Sequence, residues 1–275
     1  MLRDDQHALN FSQPLTVNRN ERDAKFFIVG TQKSGTTWLR DCLNEFVNFC
    51  KPEWYYPELF ENAARHVETF GASRPPEQRK RAIDKICLET WKALNEGFRG
   101  EKSAYPCTSA LGAGRPEHSD AVSRMRERLP NARIAVIVRD PRAVFNSLRH
   151  YLDHFRGGWS QEIDPQDFAE NWSRQNVRWV RDRPDALVLY EDLKQQFVPT
   201  LTRTLTGLGI PFTPEGIAQA ENAVYSVSKL RPKQPEIYRT GTVDEWRTRL
   251  DPNIAQRIFE VAAPAMAEIG YRLSE

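Results

Sequence analysis

Three short apolar runs constrain what this chain can fold into. They are "KFFIVG" at Lys25–Gly30, "ARIAVIV" at Ala132–Val138 and "ALVLY" at Ala186–Tyr190. Each is rich in β-branched or aromatic residues and bounded by polar or turn residues, the pattern of a strand. None alternates apolar with polar, so both faces need cover, as in a parallel sheet between helices. Helical spacing follows the first two runs. Leu39, Leu43, Phe46, Val47 and Cys50 predict one helix, and Val144, Leu148 and Tyr151 predict another. Residues 77–98, 166–181 and 252–268 also carry helical patterns, the last opening on Asp-Pro. Strands alternating with helices predict an α/β domain of βαβ units, with one central parallel sheet flanked by helices. The domain is expected over residues 25–275, preceded by a polar arm at 1–24. The intervals 51–131 and 212–252 carry fewer strand signals and read as insertions that shape a substrate site.

At 275 residues the chain can bury a sizeable core without disulfide or metal staples. Its 39 basic and 37 acidic residues leave a net charge of +2, and no long basic run suggests a nucleic-acid partner. No run approaches the roughly 20 apolar residues of a membrane span, and the first residues lack the apolar centre of a signal peptide. Cys42, Cys50, Cys87 and Cys107 form no CxxC or Cys/His spacing, so they read as free thiols packed as small apolar residues. A reducing, cytoplasmic location is the expectation. No metal-spaced cluster is present in the sequence.

The first strand runs into "GTQKSGTTWL", a tight turn followed by a helix. That arrangement presents backbone N–H groups and a positive helix end to an anion. Gly30 and Gly35 allow close approach of the backbone, and Thr36 and Thr37 add hydroxyls. Gly30 and Gly35 have the glycine spacing of a nucleotide-kinase phosphate loop, but Thr36 stands where that loop has lysine. Lys33 lies inside the turn instead, where it would stabilise charge developing on a leaving group. The bland alternative is a glycine turn with a solvated lysine. After the second strand, "VIVRDPRAVFNSLRHY" places Arg139 at the strand end and Ser147 eight residues on, in a helix. The two can converge on one phosphate; a surface arginine and a helix-interior serine are the alternative.

"TQKSGTTWL" resembles the 5′-phosphosulfate loop of the sulfotransferases that use 3′-phosphoadenosine 5′-phosphosulfate (PAPS). The resemblance implies a sulfotransferase fold, PAPS as sulfuryl donor and adenosine 3′,5′-bisphosphate (PAP) as product. It implies that Lys33, Ser34, Gly35, Thr36 and Thr37 hold the phosphosulfate, and that Trp38 packs by the adenine. Gln32, where proline is commoner, is similar to the heparan-sulfate and carbohydrate branch. The segment from Arg139 to Ser147 resembles the family's 3′-phosphate motif. "YEDL" implies a place near the nucleotide for Tyr190. "YRTGTVDEW" resembles a late loop over the 3′-phosphate, which assigns Arg239, Thr240 and Gly241 to it, with Thr240 replacing the usual lysine. Asp244-Glu245-Trp246 stands for the end of that loop.

Sulfuryl transfer also needs a base near the acceptor. "GEKSAYP" resembles the stretch that carries a lysine and histidine in cytosolic members; Lys102 fits the lysine, while Ala104 takes the histidine's place. The heparan-type pattern implies a glutamate before aromatic residues. Glu53, ahead of Trp54, Tyr55 and Tyr56, is the first choice and Glu58 the second. His118 is a weaker candidate, and His150 and His154, four apart, read as a solvated helix face. An acceptor pocket is expected from Trp54, Tyr55, Tyr56, Tyr105 and "HYLDHFRGGWS". The expected activity is transfer to a hydroxyl or amine of a small-molecule or glycan acceptor. A nucleotide kinase and a non-catalytic nucleotide-binding protein are the rivals.

Overall fold

The computed structural model describes residues 24–49, 56–94, 96–114, 116–155, 163–230 and 242–272. Four parallel strands, β1 (Phe26–Thr31), β2 (Gly100–Tyr105), β3 (Arg133–Val138) and β4 (Ala186–Leu189), form one sheet in the order β2-β1-β3-β4. The helices in chain order are α1 (Thr36–Leu43), α2 (Tyr56–Phe70), α3 (Pro76–Leu94), α4 (Pro116–Ser119), α5 (Ala121–Arg128) and α6 (Pro141–Phe155). They continue with α7 (Pro165–Arg181), α8 (Tyr190–Gln195), α9 (Phe197–Leu208), α10 (Pro214–Leu230), α11 (Trp246–Arg249) and α12 (Pro252–Ile269).

Successive strand residues feed opposite faces, which explains the unbroken apolar runs. Phe27 and Val29 of β1, with Ile134, Val136 and Val138 of β3, join Val144, Leu148, Phe168, Trp172 and Ile258 from α6, α7 and α12. Phe26, Ile28, Ala135 and Ile137 join Leu39 and Leu43 of α1 and Leu201 and Leu205 of α9. The result is three layers, helix on sheet on helix. α1 and α6, which follow the adjacent strands β1 and β3, pack on opposite faces. That divergence opens a crevice beyond the strand ends, the usual ligand position in such sheets.

α7 and α12 both begin at Asp-Pro. Asp164 accepts from the N–H groups of Gln166 and Asp167, and Asp251 from those of Asn253 and Ile254. Proline occupies the first turn, where its missing N–H costs nothing.

The structure corrects several sequence expectations. The interval 51–131 contains β2 as well as helices. Its Glu101, Lys102 and Ser103 are polar yet buried, at 0%, 4% and 0% exposure. Glu101 accepts from Trp91 Nε1 at 2.6 Å and from Ser103 Oγ at 3.0 Å. Internal hydrogen bonds thus satisfy polar residues within a buried strand. The first helix stops at Leu43 rather than running to Cys50, because Asn44 Oδ1 takes the N–H of Phe49 at 2.9 Å. Phe49 then pairs with Gly100 through an isolated parallel bridge; Cys50 lies outside the described residues. α3 ends at Leu94, short of the predicted 98. Tyr190 opens α8 instead of closing β4.

Two aromatic assignments change as well. Tyr105 is fully buried against His118 and Trp179, so it lines no acceptor pocket. His118 is 1% exposed, and its carbonyl accepts from Trp179 Nε1 at 2.8 Å; it is a core residue. The rings of His150 and His154 meet tilted at 4.2 Å on α6, and no metal-holding group occurs among the described residues. Cys42, Cys87 and Cys107 are buried free thiols.

Candidate functional site: an anion cradle between β1 and β3

The chain leaves β1 at Thr31 and turns through two left-handed residues, Lys33 with φ of 67° and Gly35 with φ of 99°. Lysine pays a steric penalty there, of the kind that concentrates at functional sites. Three contacts hold the turn. Gln32 N–H donates to the Tyr105 carbonyl at 2.8 Å, Ser34 N–H to the Thr31 carbonyl at 3.1 Å, and Arg139 Nη1 to the Lys33 carbonyl at 3.2 Å. A Cβ on Gly30 would lie 2.6 Å from Ser34 Oγ and 2.8 Å from the Ile137 carbonyl. On Gly35 it would lie 2.5 Å from the Tyr190 ring. Both glycines are required by close approach.

α1 starts at Gly35 with no side-chain cap and no acidic residue in its first turn. Its first N–H groups therefore present a positive end to the crevice. Ser34 Oγ and Thr31 Oγ1 are buried without a protein partner, as is Arg139 Nε. Donor groups are gathered here that the protein itself leaves unused.

Cations surround the turn. Lys33 Nζ lies over the Tyr151 ring at 4.7 Å. Ser147 is one helical turn before Tyr151, so the two share the face of α6 that meets the loop. Lys102 reaches from β2 to donate to Thr37 Oγ1 at 3.3 Å. Burial, then the charges of Arg40 and Lys33, lower its pKa from 10.5 to about 8, against an opposing pull from Asp41. The Arg139 guanidinium lies over the Tyr190 ring at 4.3 Å, and its Nη2 approaches the Thr242 carbonyl at 3.4 Å. Trp38 meets Tyr190 edge-on at 5.6 Å and carries the Lys194 ammonium at 4.2 Å. The Lys194 pKa is lowered by burial and then by Arg139. Positive groups that suppress one another's protonation form a site suited to a polyanion.

Of the residues expected from the sequence, Lys33, Ser34, Gly35, Thr36, Thr37, Trp38, Lys102, Arg139, Ser147 and Tyr190 surround this crevice. Glu53, Trp54, Tyr55, Arg239, Thr240 and Gly241 lie outside the described residues. Tyr56 and Glu58 belong to α2, with their side chains outside them too. Sequence reading missed Lys194 as the partner of Trp38 and Tyr151 as the partner of Lys33. Both were within reach of helical spacing, since Lys194 is four residues past Tyr190 and Tyr151 four past Ser147.

A model of the sulfotransferase family matches residues 25–214. The chain belongs to the sulfotransferase family. Its fold is similar to that of a mouse sulfotransferase complexed with PAP, with a TM-score of 0.57 and 18% identity, covering 90% of this chain and 85% of that one. It is also similar to the sulfotransferase domain from the curacin biosynthetic pathway, with a TM-score of 0.55 and 17% identity over 91% and 99% of the two chains. Carbohydrate sulfotransferase 3 of Tetronarce californica is 29% identical over a 170-residue alignment that covers 52% of this chain. That match spans 36% of the relative's length.

Proposed function

We propose that this sulfotransferase-family chain takes PAPS as donor and transfers its sulfuryl group to a hydroxyl or amine of a small-molecule or glycan acceptor. The carrying observation is the β1–α1 turn, which holds Lys33 in a left-handed conformation beside an uncapped helix start, tied by Arg139. The buried, unpartnered Ser34 Oγ and Arg139 Nε fit a phosphate-bearing ligand. Lys33, Ser34, Gly35, Thr36 and Thr37 would hold the 5′ end of the donor, and Arg139 with Ser147 the 3′-phosphate. Tyr190 and Trp38 would flank the nucleoside, and the segment of Arg239, Thr240 and Gly241 would close on the 3′ side.

When bound, PAPS supplies an activated sulfuryl group for in-line displacement by the acceptor. Lys33 stabilises the negative charge that gathers on the departing bisphosphate. Lys102 supports it from the β2 side, anchored at Thr37. Glu53 is proposed as the base that takes the acceptor proton, with Glu58 second. The carbohydrate-sulfotransferase relative and the Trp54–Tyr56 aromatics favour a glycan, since such rings stack on sugar faces. Among the described residues Cys42, Cys87 and Cys107 are buried and form no disulfide, which supports a reducing, cytoplasmic setting, and no described helix is long and apolar enough to cross a membrane. The domain is proposed to run from residue 25, with 1–24 as an arm, in keeping with the family match starting there.

Incubation with sulfur-labelled PAPS and fractionated metabolites and oligosaccharides tests the reading. Labelled product and calorimetric binding of PAP are expected; absence of PAP binding would sink it. Glu53→Gln should lower turnover by about 100-fold or more with PAP affinity unchanged. A rate near that of the parent would remove Glu53 from the mechanism and move the role to Glu58→Gln as the next variant.

A further inference from the structure

Arg139 is held at both its side chain and its backbone by two consecutive residues. Tyr190 supplies the aromatic face under the guanidinium. Glu191 supplies the backbone hold: its Oε1 accepts the N–H of Asp140, the residue after Arg139, at 3.0 Å. The other carboxylate oxygen, Oε2, accepts the hydroxyl of Tyr271 at 2.9 Å. Tyr271 follows the left-handed cap of α12 at Gly270, and its own N–H donates to the Met266 carbonyl at 2.9 Å. The far end of the last helix is thus joined to the turn that carries Arg139. None of the motifs in the sequence pointed to Tyr271.

We propose that Glu191, braced by Tyr271, is a positioning residue that fixes the Arg139–Asp140 turn and thereby sets the affinity for the donor nucleotide. This rests on the reading of the crevice as the PAPS site. A carboxylate accepting two hydrogen bonds from different elements removes the rotational freedom of the turn, and Tyr190 then fixes the side chain that projects from it. Arg139 must hold its guanidinium against the Lys33 carbonyl and the ligand at once, so a small rotation of the turn would separate the two tasks.

The surroundings of Glu191 supply a titration readout. Burial raises its pKa, the carboxylate of Asp140 raises it further, and the hydrogen bonds from Asp140 N–H, its own N–H and Tyr271 lower it. Asp140 is itself paired with Arg142 at 2.7 Å. Arg139 stands near enough to Tyr271 to favour its ionised form, while burial and Glu191 raise its pKa well above the usual value. As pH falls through the raised Glu191 value, the carboxylate is neutralised and its grip on Asp140 N–H weakens.

The test is calorimetric titration with PAP across pH for the parent chain, Tyr271→Phe, Glu191→Ala and Glu191→Gln. Glu268→Ala serves as the control, because it breaks the exposed Arg181–Glu268 pair between α7 and α12 without touching Glu191. Tyr271→Phe and Glu191→Ala should bind PAP about threefold to tenfold more weakly, the effect of one net hydrogen bond. Glu191→Gln, which keeps a neutral acceptor for Asp140 N–H, should bind at the level of the parent's acid limb, between the parent and Glu191→Ala, at every pH, and so lose the limb. In Tyr271→Phe the acid limb should move to higher pH, since a hydrogen bond that lowers the Glu191 pKa is gone. Equal PAP affinity in the parent, Tyr271→Phe and Glu191→Ala would overturn the positioning role while leaving the donor site standing. A parent chain that does not bind PAP would remove both. If Tyr271→Phe does not fold, the contrast between Glu191→Ala and Glu191→Gln decides: equal loss in both overturns the proposal, and rescue by glutamine supports it.

Discussion

Lys102 shows how one residue ties stability to binding. It is 4% exposed, and its ammonium is kept in the interior by the hydrogen bond to Thr37 Oγ1. Its pKa falls to about 8 from 10.5, mainly through burial. The folded state therefore holds fewer protons than the unfolded chain between these values. The cost of burying the charge is fully present below pH 8 and is relieved as pH rises toward 10.5. Ligand binding has the opposite sign. A polyanion beside Thr37 favours the protonated amine, so PAP affinity should fall as pH rises through about 8, and binding near that pH should take up a proton. Calorimetry in buffers of different ionisation enthalpy reads the proton directly. Lys102→Met should bind more weakly and lose this uptake; an unchanged uptake would place the titrating group elsewhere. Lys33 differs in kind, since the sequence already places it in the turn. Only the structure supplies its left-handed backbone and the Arg139 bond to its carbonyl.

Among the strands, β2 was the one hidden from sequence reading. β1 and β3 announce themselves because both faces of each are apolar. β2 carries Glu101 and Lys102 on opposite sides, one hydrogen-bonded into the helical layer and the other directed at Thr37 in the first turn of α1. Its polarity is resolved by partners that lie 10 and 65 residues away in sequence, which no local pattern reveals. Trp91→Phe should therefore destabilise the chain by about 1–3 kcal/mol, because it removes a donor from a buried carboxylate. Urea unfolding checks this, and a loss below about 0.5 kcal/mol would show that Glu101 finds another donor. α1 gives the complementary lesson. Its apolar spacing continues to Cys50, yet Asn44 takes the Phe49 N–H and ends the helix early. Local side-chain hydrogen bonding overrode periodicity.

On the scale of the whole molecule, the crevice draws on segments from across the chain. The turn after β1, Lys102 of β2, Arg139 after β3, Tyr190 and Glu191 after β4, and Thr242 beyond α10 all contribute contacts. A ligand held by all of them should stabilise the fold as a unit. At a PAP concentration about 100 times its Kd the gain is about 2.7 kcal/mol, which for a chain this size raises Tm by about 5–8 °C. A thermal scan with and without PAP measures it. A shift below about 1 °C at that concentration would mean that PAP does not bind the folded chain in preference to the unfolded one.

The sequence by itself determined the parallel α/β architecture and the glycine turn that carries Lys33 between the first strand and its helix, because each is written within consecutive residues. Tertiary structure alone decided that β2 joins the sheet beside β1, that Tyr105 and His118 belong to the core, and that Tyr271 reaches Glu191. Those outcomes depend on hydrogen bonds and packing between residues far apart in the chain. Local spacing governs backbone conformation, but only the folded chain brings distant donors and acceptors together.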